Sequence, residues 1–247
     1  MPPPLTSAPL SNPKVLSRRR LSSGILAHLS NGPVAVPRMP SPWIDPVRQS
    51  GQLSIFLGKT ATGGGWSTSF TTAIARFNAL ANLLNFGVTF SASNAPPDPN
   101  GLGGADVAFE AGNGQVSFTA LGQPFSRQVD GNALAGNTYT VSTSSGGGDR
   151  IAKAFIFVPA TPRSANAKSR VVGEGVKLVI AVHELIHACG LSNADHSPAS
   201  KPDVFYGYPT IDVGPAAAAD RIRLPDGRTM PPVWMANETA RLIQGIW

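Results

Sequence analysis

A mixed α/β domain of the α+β class is what this sequence predicts, on three observations. Short β-favouring runs recur between turn residues. Two segments carry a sustained helical period. The order is strand, helix, several strands, helix, long loop and final helix. That order suits a sheet backed by helices rather than a helical bundle. The abundance of Gly (26) and Pro (23) agrees with long loops and short strands, and the 42% of hydrophobic residues is enough for a core.

Taken in order, Gln52 to Leu57 reads as the first strand, and Gly63-Gly64-Gly65 as the turn after it. Ser67 to Asn85 reads as a helix. Phe70, Ile74, Phe77, Leu80, Ala81 and Leu84 recur at helical spacing, and Gly87 stands where a C-terminal cap belongs. Val88 to Ser91, Ala105 to Phe109, Gln115 to Leu121, Thr138 to Thr143 and Lys153 to Val158 read as further short strands, separated by Gly, Pro, Asn and Asp. A second helix is expected from Gly175 to Cys189, a hairpin around Asp226-Gly227 and a closing helix from Asn237 to Ile246.

Residues 1–48 are rich in Pro, Ser and Arg without a sustained period, and read as a flexible extension or pro-segment ahead of a domain at 49–247. Much of the net charge of +6 sits in that arm, at Lys14, Arg18, Arg19, Arg20 and Arg38. A basic arm can meet nucleic acid or an anionic membrane surface. With no aromatic residue interleaved, a solvated arm is the simpler reading, and no nucleic-acid partner is expected. The stretch Leu21 to Leu29 is too short and too interrupted by Ser, Gly and His for a signal peptide. No apolar run approaches the roughly 18 residues of a transmembrane helix. Cys189 is the one cysteine, so no disulfide can form within the chain.

The chemistry concentrates in one place. Of four histidines, His28, His183, His187 and His196, three fall within positions 183–196. Four residues of α-helix rotate by about 400°, so His183 and His187 share a face one turn apart, where two imidazoles can bind one zinc ion. Glu184 follows the first of them. In His183-Glu184-Leu185-Ile186-His187 it stands at the position of a general base for a water whose pKa the metal lowers to about 7. The motif lies in the apolar run Val176 to Val182, where two His and a Glu would be unfavourable without a purpose. Gly190 can end the helix and return the chain, bringing a third ligand from the loop. The only glutamate after Glu184 is Glu238, close to the end of the sequence, which makes a ligand from a later helix a poor alternative.

His183 to Gly190 resembles the signature of the metzincin zinc peptidases, and within them the matrixin branch. The family pattern would put its third ligand at Asn193. The pair His196-Ser197, after Gly190-Leu191 and three inserted residues, is similar to the family's Gly-Leu-x-His-Ser, and this assigns His196 as third ligand, with Asp195 the alternative. The resemblance covers about 50–247. The helix from Ser67 and Gly104 to Phe109 match an N-terminal subdomain, and Met230-Pro231 with the closing helix matches a methionine turn, with Met230 under the metal and Met235 the alternative. It implies a metalloendopeptidase acting on protein or peptide substrates with one catalytic zinc, His183, His187 and His196 as its ligands and Glu184 as base. On family analogy alone it implies a calcium site near Asp98 to Asp106. The alternative from another class is a non-catalytic virion or envelope protein that keeps the fold and the zinc.

Latent matrixins use a pro-segment cysteine, which this chain lacks. Asp45 could serve in its place, or be an ordinary loop aspartate. Cys189 reads as a packed thiol, and Tyr206 and Tyr208 either line a cleft or pack. Compartment and oligomeric state are not legible.

Overall fold

A computed structural model describes residues 19–22, 41–145, 148–163 and 170–247. Most of the expected extension, with Lys14, Arg18, Arg38 and His28, lies outside the described residues. The class is the mixed α+β one read from the sequence.

Strands β1 (Arg19–Ser22), β2 (Gln52–Leu57), β3 (Thr89–Ser93), β4 (Val107–Gly112), β7 (Asn137–Ser145) and β8 (Gly148–Pro159) form one sheet in the order β1-β7-β8-β4-β2-β3. Its β3, β2, β4 and β8 run parallel, while β7 is antiparallel to both β8 and β1. The parallel pair β2 and β3 is joined through α2 (Lys59–Gly63) and α3 (Ser67–Leu84), as parallel strands need a crossover. Between β4 and β7 the hairpin β5 (Gly114–Ala120) and β6 (Gln123–Val129) folds out as a separate two-stranded ribbon.

Side chains alternate across the sheet. On one face Leu53, Ile55, Val107, Phe109, Ile156 and Val158 pack against Phe70, Ala73 and Phe77 of α3 and against α4 (Glu174–Ala188). On the other, Ala108, Tyr139, Val141, Phe155 and Phe157 are covered by Ala120 and Val129 of the ribbon. Coverage on both faces makes β8 buried from Ile151 to Pro159, which explains its unbroken apolar run.

The structure departs from the sequence reading in several places. The left-handed cap of α3 is Asn85 (φ 53°), not Gly87, because Asn tolerates that conformation and the helix stops at Leu84, one residue before its expected end. β6 was not foreseen: Pro124 and alternating polar residues disguise a strand exposed on one side. The strand β1 lies within the stretch read as an extension, and the helix α1 (Asp45–Ser50) begins in it. Trp43, in the same stretch, is fully buried and its indole N–H donates to Ala188 O at 2.8 Å.

After α4 the chain runs through loops and a small sheet, β9 (Thr210–Asp212), β10 (Arg221–Arg223) and β11 (Thr229–Met230), to α5 (Asn237–Gln244). β10 and β11 form the hairpin expected at Asp226-Gly227. No helix among the described residues is long and apolar enough to cross a membrane.

Candidate metal centre

Helix α4 is buried along most of its length, and it carries His183, Glu184 and His187 into the interior. It ends at Ala188, and Gly190 turns the chain at φ 114°, where an added Cβ would lie 2.3 Å from Ser41 O. Only glycine meets both demands. The turn places Leu191 O 3.0 Å from His187 Nδ1. Ser192 then caps a short 3-10 turn, Asn193–Asp195. The Asp195 carboxylate accepts from the Ser192 N–H at 2.6 Å and from its hydroxyl at 2.7 Å, and the turn delivers His196 back toward α4.

Three imidazoles converge. His196 Nε2 lies 3.2 Å from His183 Nε2 and 3.2 Å from His187 Nε2. The Nδ1 atoms of the two helix histidines face the backbone carbonyls of Val204 and Leu191, each at 3.0 Å. A carbonyl only accepts, so Nδ1 carries the hydrogen in both rings and Nε2 presents its lone pair to the centre. Burial holds His183 down at about 4 and His196 at about 3, and His187 well below its ordinary range, where its two neighbours add to the effect. Lone pairs turned toward one point are well placed for a cation between the rings. Ligand atoms about 2.1 Å from a tetrahedral zinc stand about 3.4 Å apart, close to the observed spacing. The trio could therefore hold a metal ion, and among the described residues no other group of three or more His, Cys, Asp or Glu side chains is placed to do so.

Glu184 is fully buried, and its Oε2 accepts the Thr138 hydroxyl at 2.7 Å. An added Cβ at Gly136 would lie 2.6 Å from Glu184 Cγ, so the chain entering β7 presses directly on this carboxylate. Beside it opens a cleft lined by His183 and Glu184 together with Leu134, Ile180, Tyr206 and Met230.

The remaining candidates fall as follows. Asp195 is engaged in the cap and stands outside the histidine trio. Asn193 belongs to the same turn and also stands outside it. Met230 is buried in β11 and lines the cleft, whereas the ring packed against all three imidazoles is Phe205, at centroid distances of 5.1, 4.8 and 4.8 Å. Met235 is buried in the main core. Tyr206 lines the cleft and Tyr208 is exposed beside it, edge to face at 6.1 Å. Cys189 is a buried thiol whose pKa burial raises well above the ordinary. Asp45 lies at the surface near Arg150, and Glu238 pairs with Lys201. In the stretch from Asp98 to Asp106, the Lys153 ammonium donates to Leu102 O, Gly103 O and Ala105 O at 2.8 Å each, so a side-chain cation occupies the position between those carbonyls.

No protein-family model matches the chain, and no curated protein matches it significantly.

Sequence reasoning missed Thr138, Gly136, Val204 and Phe205. Nothing local marks them, since each reaches the site only through long-range packing.

Proposed function

We propose that the chain is a zinc-dependent endopeptidase of the matrixin-like metzincin type, with His183, His187 and His196 holding the metal and Glu184 acting as general base. The observation that carries this reading is the pairing of two things in one buried place: three neutral imidazoles whose Nε2 atoms converge, and a carboxylate next to one of them in sequence that lines the adjoining cleft. A site that only bound metal for structure would have no use for that carboxylate. Zinc held there would supply Lewis acidity, lowering the pKa of water and polarising a carbonyl. Glu184 takes the proton of the attacking water and passes it to the leaving amine. Thr138 holds one carboxylate oxygen in place. The backbone carbonyls of Val204 and Leu191 fix the tautomers of His183 and His187, so their Nε2 atoms face the metal position.

The test joins metal analysis with a Glu184→Gln variant. The full chain is expected to contain about one zinc, and the variant to keep it while losing on the order of 10²–10⁴ in the rate of cleavage of an unfolded protein substrate. Metal without any cleavage by the wild-type chain supports the non-catalytic alternative, and a chain that takes up no zinc rejects the reading.

A further inference from the structure

The three histidines come from two places in the chain, yet one other segment touches all of them. Val204 O meets His183 Nδ1 at 3.0 Å. The Phe205 ring, fully buried, packs on all three imidazoles. Phe205 O accepts the N–H of Ser197, the residue after His196, at 3.1 Å. Gly207 lies so close to His196 that an added Cβ would sit 2.4 Å from its Nδ1.

That segment is built around one carboxylate. Asp203 is fully buried. One of its oxygens accepts Phe205 N–H at 2.8 Å, and the other accepts Ala236 N–H, at the start of α5, also at 2.8 Å. The Asp203 N–H in turn donates to Ser197 Oγ at 3.2 Å. A buried carboxylate without such donors would be strongly unfavourable, and with them it fixes the two backbone groups it bridges. The bend it enforces turns Val204 O toward His183 and the Phe205 ring beneath the trio.

We infer that Asp203 is the positioning residue of the metal centre, acting through Val204 O and the Phe205 ring, and that Phe205 is the apolar floor on which all three ligands rest. This rests on the metal-binding reading above but not on peptidase activity. Outer partners of metal ligands alter affinity by about 10–100-fold when removed, because the ligands lose their orientation.

The experiment uses the full chain loaded with Co²⁺, whose visible spectrum reports ligand geometry, together with zinc affinity measured against a competing chelator. Asp203→Asn keeps the side-chain volume but loses the acceptor for one amide, and Phe205→Leu keeps an apolar residue but removes the shared ring. Phe77→Leu, in the aromatic cluster that Phe77 of α3 forms with Phe86 and Phe90, is the control for general destabilisation. The expected result is weaker zinc binding by about 10–100-fold and an altered cobalt spectrum for Asp203→Asn and Phe205→Leu, with Phe77→Leu unchanged in both. Variants at Asp203 and Phe205 with wild-type affinity and spectrum overturn the inference and leave the zinc reading standing. A wild-type chain that takes up neither metal overturns both.

Discussion

Thr138 Oγ1 donates to Glu184 Oε2 at 2.7 Å, joining β7 to α4 across 46 positions of chain. Both residues are fully buried, so the hydroxyl is the fixed partner of a carboxylate that has little water to turn to. Thr138→Val keeps the shape and removes the donor. We expect metal content to be unchanged and the cleavage rate to fall by about tenfold or more, since a hydrogen bond to a charged group is worth about 1.5–3 kcal/mol. Thr138→Ser should restore most of the rate. Equal rates for the valine and wild-type chains would show that the hydroxyl does not orient the base.

The third imidazole is open to direct measurement. His196→Ala removes one of three converging nitrogens, and zinc titration should show affinity lower by orders of magnitude. Asp195→Ala breaks the cap of the short turn, so its main expected effect is a stability loss of about 1 kcal/mol, with a smaller effect on affinity. Asn193→Ala should bind zinc nearly as wild type does. Retention of zinc by the His196 variant and its loss by the Asp195 variant would place the ligand at 195.

Acid should destabilise the metal-free chain in a defined window. His183 is held at about 4 and His196 at about 3 by burial, against an ordinary 6.5. Below 6.5 the unfolded chain binds protons at these rings and the folded chain does not, so stability rises with pH across the window and falls as pH drops from 6.5 toward 4. Thermal melts between pH 7 and 5, above the range where carboxylates titrate, should show the melting temperature falling with pH. A Tm that is flat or that rises on acidification would mean the rings are not held neutral. Zinc binding should weaken over the same range, because protons compete for Nε2.

Trp43, just ahead of α1, ties that part of the chain to the end of α4. Its buried ring bonds Ala188 O at the end of α4, so Trp43→Ala should cost about 3–5 kcal/mol in chemical denaturation. A loss below about 1 kcal/mol would assign the residue to a dispensable tail.

The candidate site was legible to the extent that it is local. Helical spacing alone places His183 and His187 on one face, and Gly190 announces the turn that follows them. His196 was reached through a family resemblance, because its return depends on a capped turn whose cue, Ser192 three residues before Asp195, is short and common. β2, the helix from Ser67 and α4 were read nearly to their ends, since strong periodicity reports burial on a known side. β6 and β9 were obscured, being short or interrupted by turn residues.

By itself the sequence determined the class, the long helices and strands, and the pair of histidines with a glutamate between them, because these follow from side-chain period along one continuous segment. Only the tertiary structure decided that Thr138 meets Glu184, that Val204 O selects the tautomer of His183, and that Phe205 rather than Met230 packs beneath all three rings. Each of these is a contact between segments separated by many residues, and its geometry is fixed by how the sheet, α4 and the later loops close on one another.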